Sequence, residues 1–252
     1  MQEWFDDFRT AVAFLTRLPM PHPDGAAPAN FVRAHRMFPV VGALIGGAVG
    51  LLCLGLRYLG VPDLAAAALA LGGSAILTGA LHEDGLADVA DGFGGGRDVE
   101  SKLEIMRDSR LGTYGAMILL VSFAAKLSAL AAIPDSHVVP ALIAAHALAR
   151  GVLPAMSMNL PYARKDGLAR NAGQADATTA AVAAGLSFLI AVMALSWANA
   201  FYAALLAGVS AFAMARLALR QIGGQTGDVL GGAEQVAETA ILILLAARLA
   251  QP

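Results

Sequence analysis

The chain carries a single cysteine, Cys53, in 252 residues. One thiol excludes a disulfide framework within the chain and any cysteine-built metal cage. Charge is scarce too. Asp, Glu, Lys and Arg supply 14% of the residues, against about 25% in a soluble domain. There is no basic surplus, since the net charge is −2, so no nucleic-acid partner is expected. A secretory signal is also missing from the first 20 residues, which hold Glu3, Asp6 and Asp7 where a signal would be basic. What the chain does have is apolar residues, at 58% of the total, with a mean hydropathy of +0.64. The expected class is all-α, a polytopic transmembrane helical bundle built as one integral-membrane domain over 1–252 in contact with the lipid bilayer.

Apolar stretches recur at 40–59, 64–81, 114–133, 140–158, 179–196, 201–219 and 237–250. Most approach the ~20 residues that span a bilayer, and the short last one leaves six or seven spans. The tiny connections at 60–63, 134–139 and 197–200 lack Lys and Arg. The basic residues gather in the segment 1–39 and in or beside the long connections 82–113, 159–178 and 220–236. This asymmetry predicts a cytoplasmic N-terminus and cytoplasmic long loops. Polar chemistry collected on one membrane face suits an interfacial enzyme better than a conduit.

Residues 3–18 place Trp4, Phe8, Ala11, Leu15 and Leu18 on one helical face, and Pro19, Pro21 and Pro23 end the segment. It lies flat at the interface or packs on the bundle. Gly42, Gly46 and Gly50 form a small-residue stripe suited to close helix contact, within the chain or in a homo-oligomer. Arg57 and Arg248 lie near span ends, where they can snorkel. Lys126, His146 and Arg150 lie deeper, and an ionisable residue inside a span is a functional candidate because its burial is costly. A structural interhelical ion pair is the competing reading for each.

The sharpest signal is His82-Glu83-Asp84-Gly85-Leu86-Ala87-Asp88-Val89-Ala90-Asp91-Gly92, directly after an apolar run. If helical, it puts Asp84, Asp88 and Asp91 at i, i+4 and i+7 on one face, with Glu83 close by. Carboxylates that close repel unless protons or a cation neutralise them. All-oxygen ligands favour Mg²⁺ or Mn²⁺ over zinc. Gly92-Phe93-Gly94-Gly95-Gly96-Arg97 follows, a run whose amides could close round a phosphate or simply turn. In Arg107-Asp108-Ser109-Arg110, Arg110 could fork onto a phosphate and Asp108 could add a metal ligand, unless the two form a surface pair. The third connection has five glycines in 223–232, with Asp228 among them and Glu234 and Glu238 after them, a pattern for close backbone approach to a ligand.

These segments together resemble the cobalamin synthase family, the adenosylcobinamide-GDP ribazoletransferases of bacterial membranes. The resemblance runs from Phe14-Leu15-Thr16-Arg17-Leu18-Pro19 and Phe38-Pro39 with Gly42, through the acidic motif and Asp108-Ser109-Arg110-Leu111-Gly112-Thr113-Tyr114-Gly115, to Thr226-Gly227-Asp228-Val229-Leu230-Gly231 and Glu238. It departs at Gly232, where alanine is expected, and at Glu234, where an uncharged polar residue is expected. The resemblance implies a Mg²⁺-dependent reaction at the cytoplasmic face of the inner membrane. The 5′-hydroxyl of α-ribazole, or of its 5′-phosphate, attacks the cobinamide-side phosphorus of adenosylcobinamide-GDP, and GMP leaves.

Such a displacement needs charge neutralisation and an oriented nucleophile. Asp84, Asp88 and Asp91, with Asp108, are the expected metal ligands. Asp91 is the expected base, Glu83 the second choice, and Asp88 stands with them as catalytic. Arg110, Ser109, Lys126, His146 and Arg150 are candidates for substrate contact, and Asp228 and Glu238 for completing the pocket. CDP-alcohol phosphotransferases use a related acidic logic, but Asp88 follows Ala87 where their motif has arginine. A transporter running past Lys126, His146 and Arg150 is the non-enzymatic alternative, without an inverted repeat to support it.

Overall fold

The computed structural model describes residues 2–20, 28–165, 167, 170 and 173–249. Described elements run α1 (Gln2–Leu15), α2 (Pro28–Ala34), a 3₁₀ turn (His35–Met37), α3 (Phe38–Tyr58), α4 (Asp63–Thr78), α5 (Leu81–Gly95) and α6 (Val99–Ile105). They continue with α7 (Thr113–Ala132), α8 (Asp135–Gly151), α9 (Leu153–Asn159), α10 (Ala177–Ala194), α11 (Trp197–Ile222) and α12 (Gly227–Leu249). No strand occurs among the described residues; Tyr162 and Gln225 form one isolated bridge.

Six segments are long and apolar enough to cross a membrane: Phe31–Tyr58, α7, Asp135–Asn159, α10, α11 and α12. A seventh exists only if α4 and α5 count as one span bent by 92°. The bend has a local cause. Gly79 and Ala80 are both left-handed, at φ 68° and 54°. Their amides bond back to Ile76 and Ala75, a Schellman closure that ends α4 and redirects the chain. The connection 82–113 is therefore mostly helix, α5 and α6, and the acidic motif lies on α5 as its spacing predicts.

The glycine stripe of α3 packs inside the chain. A Cβ on Gly42 would land on the His146 carbonyl, one on Gly46 on the Leu142 carbonyl, and one on Gly50 2.8 Å from Val139 Cα. Backbones of α3 and α8 thus touch, as small-residue interfaces allow. At the opposite end of the bundle Arg57 ties three elements. It donates to the carbonyls of Leu130 and Ile133 and pairs with Asp135 at 2.8 Å and Asp63 at 3.4 Å.

The N-terminal helix is packed on the bundle. Its buried residues are Asp7, Ala11, Val12 and Leu15, while Trp4 and Leu18 are exposed. Asp7 turns inward because Arg33 and Arg36 pair with it at 3.0 and 2.7 Å. The helix ends at Leu15, before Pro19; Pro21 and Pro23 lie outside the described residues.

Gly46→Ala should lower the stability of the detergent-solubilised protein by about 1–3 kcal/mol, the cost of overpacking. Gly47→Ala, whose new methyl would sit 3.7 Å from Ile143 Cγ1, should be neutral. Thermal unfolding midpoints of the two variants check this; equal midpoints would count against backbone contact.

Candidate active site

The first turns of α12 receive α5 almost backbone to backbone. A Cβ on Gly85 would sit 2.9 Å from the Asp228 carbonyl oxygen and 3.3 Å from Gly231 Cα. One on Gly231 would sit 3.3 Å from His82 Cα. The close approach that the glycines of the third connection suggest is thus made by α5. It carries Asp84 and Asp88 to Asp228, some 140 residues away in sequence. Asp88, half buried, has Asp228, Asp84 and Asp91 as charged neighbours, with Arg164 the nearby cation. The Thr226 hydroxyl donates to Asp228 Oδ2 at 3.2 Å.

Arg164 arrives through a second tie. Ala163 N–H donates to the Gln225 carbonyl and Gln225 N–H to the Pro161 carbonyl, at 3.0 and 2.8 Å. The Gln225 amide donates to the carbonyls of Ser157 and Leu160, both at 2.8 Å. These bonds set Arg164 Nη1 3.5 Å from Asp228 Oδ2. A cleft here holds about 800 Å³, its solvent-open part included, and Asp84, His82 and Asp228 are among the residues that line it.

Asp91 opens onto a different cleft, with Asp108, Arg110, Thr113 and Tyr114. Its Oδ2 accepts the Gly112 N–H and its Oδ1 the Gly115 N–H, both at 2.8 Å. Asp91 thereby holds the first turn of α7, whose amides have no partner within their own helix. Arg110 is exposed and forks onto Asp108, with Nε 3.0 and 2.9 Å from the two oxygens. Those bonds hold the Asp108 carboxyl below its ordinary range and raise the Arg110 guanidinium. Ser109 beside them is exposed. The glycine run gives no phosphate loop: it is helical through Gly95, and a Cβ on Gly94 would strike the Tyr114 ring at 2.7 Å.

Lys126, His146, Arg150, Glu234 and Glu238 meet in the interior instead. Lys126 is 5% and Arg150 1% exposed. Lys126 Nζ donates to Gln235 Oε1 at 2.7 Å and lies 3.3 Å from Glu238 Oε1. His146 Nδ1 is 3.0 Å from Glu238 Oε2, and Arg150 Nη1 is 2.5 Å from Glu234 Oε1. Arg150 also reaches His82 Nδ1 at 3.4 Å, which ties the network to α5. Glu83 points this way. Its Oε2 is buried without a hydrogen-bond partner among the described residues, and Lys126 and Glu234 feel its charge. Ligand atoms of His146, Glu234 and Glu238 lie within 4.8 Å of one another, so this group could hold a metal. Two cations already stand in it.

The profile of the Cobalamin-5-phosphate synthase family matches residues 7–246. The chain belongs to that family. It is thereby placed among the transferases of cobalamin biosynthesis, which decides against the lipid-synthesising and transporter readings. An adenosylcobinamide-GDP ribazoletransferase of Bradyrhizobium diazoefficiens is 47% identical over 242 residues, covering 96% of this chain and 93% of its own. One from Sinorhizobium medicae is 42% identical over 98% of both chains. One from Mesorhizobium japonicum is 44% identical over 95% of this chain and 92% of its own. No solved structure matches.

Within the Cobalamin-5-phosphate synthase family frame, Arg164 is the residue whose place the sequence hides. It reads as one more basic residue of a cytoplasmic loop; the Ala163–Gln225 tie, with a bond from its Nη2 to the Leu103 carbonyl at 3.1 Å, holds it beside Asp228. Glu234, a departure from the expected pattern, is fully buried and paired.

Asp91→Ala should release the Gly112 and Gly115 amides, which hydrogen exchange reads as lost protection at these two positions. Two bonds to a charged acceptor predict a stability loss of about 3 kcal/mol or more. Retained protection would contradict the anchoring role. Lys126→Met should lower the thermal midpoint by leaving Glu238 short of a counter-charge, a loss of about 3–5 kcal/mol. Michaelis constants of the folded fraction should stay unchanged, and a raised constant for the diphosphate substrate would restore Lys126 to the phosphate contacts.

Proposed function

We propose that the chain joins the 5′-hydroxyl oxygen of α-ribazole, or of its 5′-phosphate, to the cobinamide-side phosphorus of adenosylcobinamide-GDP. The new P–O bond forms as the P–O bond to GMP breaks, and the product is adenosylcobalamin or its 5′-phosphate. The observation that carries this reading is the meeting of Asp84 and Asp88 with Asp228 beside an open cleft. We place this site at the cytoplasmic face of a bacterial inner membrane, where the basic residues of the long connections gather.

The donor set fits Mg²⁺. It is all oxygen, it includes the exposed Asp84 carboxylate, and its like charges face each other with Arg164 as a nearby cation. Mg²⁺ is commonly held by one or two carboxylates plus substrate phosphates, and Asp84 and Asp228 are assigned that task. Bound there, the ion supplies neutralisation of the diphosphate charge.

The chain's own groups do the rest. Asp91 is engaged by two amides and Glu83 turns toward the interior network, so Asp88 is assigned to take the hydroxyl proton. Arg164 can leave Asp228 for a phosphate oxygen, a contact that gains strength as charge develops on the leaving group. Arg110, which lines the second cleft, and the exposed Ser109 next to it in sequence are assigned to orient a phosphate of the substrate.

The test uses purified protein in lipid nanodiscs. GMP release should require adenosylcobinamide-GDP, α-ribazole and Mg²⁺ together. Asp84→Asn and Asp228→Asn should each cut turnover by about 100-fold or more, the scale of losing one electrostatic contributor, while thermal midpoints hold. Metal-independent turnover, or unaltered turnover in both variants, would overturn the assignment.

A further inference from the structure

The cleft beside the carboxylates has a second wall that the chemistry above leaves unused. Phe14, Phe38, Leu153, Pro154 and Leu230 line it, and so does His35. His35 is 5% exposed, and its Nδ1 is buried with no hydrogen-bond partner among the described residues. Aromatic rings surround it. Its ring lies 4.7 Å from that of Phe38 and 5.3 Å from that of Phe31. Phe14 stacks on Phe38 at 5.8 Å and meets Phe31 edge-on at 4.8 Å. Buried polar groups are nearly always satisfied, and one that is not asks for a reason.

We infer that this wall seats the benzimidazole ring of the acceptor nucleoside, with His35 hydrogen-bonded to its free ring nitrogen. The inference rests on the reaction proposed above and adds which substrate lies where. The two bases in that reaction make opposite demands. Dimethylbenzimidazole, once attached to ribose, is a fused apolar ring with two methyl groups and one acceptor nitrogen. Guanine presents two donor groups and several acceptors along its edges. The part of the lining made by Phe14, Phe38, Leu153, Pro154, Leu230 and His35 satisfies the first and would leave the second largely unpaired, while His82, Ser157, Asp84 and Asp228 line the rest of the cleft.

Neutral imidazole can donate from one nitrogen, and the ring nitrogen of the acceptor can take that bond. Flat apolar rings favour stacked or edge-on neighbours of the kind Phe14 and Phe38 provide. Asp84 and Asp228 line the same cleft, so a base on this wall leaves the ribose in the cleft that the carboxylates share. A site that hydrogen-bonds one ring nitrogen also discriminates sharply against an analogue lacking it.

Initial rates in nanodiscs with two acceptors test this: α-ribazole, and the indole riboside in which CH replaces the free ring nitrogen. The wild type should prefer α-ribazole in kcat/KM by about tenfold or more. His35→Phe should erase that preference and raise the KM for α-ribazole, while the KM for adenosylcobinamide-GDP stays within about twofold. His35→Gln, which keeps a hydrogen-bonding group, should retain part of the preference. If His35→Phe does not fold, Phe38→Leu serves: it should raise the KM for α-ribazole alone and keep the preference. A His35→Phe enzyme that still prefers α-ribazole, or variants that alter only the KM for adenosylcobinamide-GDP, would overturn the inference. Absence of GMP release by the wild type with either acceptor would instead overturn the underlying reaction, and fluorescence titration of α-ribazole then reads the subsite directly. Equal affinity in wild type and His35→Phe would overturn it there.

Discussion

An acidic helix can serve a bundle of apolar ones only if something holds it at their edge, and here that is the backbone contact of Gly85 with Asp228 and Gly231. A side chain at Gly85, its Cβ 2.9 Å from the Asp228 carbonyl oxygen, would push α5 from α12 and part Asp84 and Asp88 from Asp228, whereas one at Gly231 would ask for only a few tenths of an ångström. Everything the cleft offers depends on this approach. The Schellman turn at Gly79 and Ala80 makes it possible, because a straight continuation of α4 would carry the carboxylates away. The bridge between Tyr162 and Gln225 completes the arrangement by bringing Arg164 from a separate connection.

Polar residues in this chain divide into two populations with different tasks. The interior set pairs Lys126 and Arg150 with Glu234 and Glu238 and joins α7, α8 and α12, with His82 of α5 at its edge. Such charges gain little net stability over apolar packing, but leaving one without its partner is severe. Their use is registry, since only one placement of these helices satisfies all of them. The second set is Asp84, which is exposed, with Asp88, Asp228 and Arg164, which are partly exposed. Segregation keeps the carboxylates of the cleft from being neutralised by the interior cations.

Much of this was legible in the sequence, and the limits were geometric. The acidic spacing read correctly as a helix, and six of the seven apolar stretches as spans; the doubtful one is 64–81, which crosses only if α4 and α5 count as one bent span, and not the short last stretch, which lies within α12. Which neighbour each carboxylate meets was not legible. Asp91 shares the helical stripe of Asp84, yet α5 has α12 along part of its length and the start of α7 along another, so Asp91 meets the Gly112 and Gly115 amides. Lys126 and Arg150 were costly intramembrane charges in want of partners. Their partners included Glu234, a residue outside the expected family pattern. The run Gly92–Gly96 read as a phosphate-binding run or a turn and is helical through Gly95, because glycine that admits close packing and glycine that admits a turn are the same letter. His35 had no spacing signal at all; its aromatic neighbours, Phe31 and Phe38, come from α2 and α3.

The claim at the centre is that residues from two distant parts of the chain, Asp84 on α5 and Asp228 at the start of α12, grip one divalent cation. Locating Mn²⁺ in crystals of the protein with an unreactive diphosphate analogue, by its anomalous scattering, tests it most directly. The account predicts a peak between these two carboxylates and the analogue's phosphates. A peak beside Asp91 and Asp108, or inside the group of His146, Glu234 and Glu238, would contradict it.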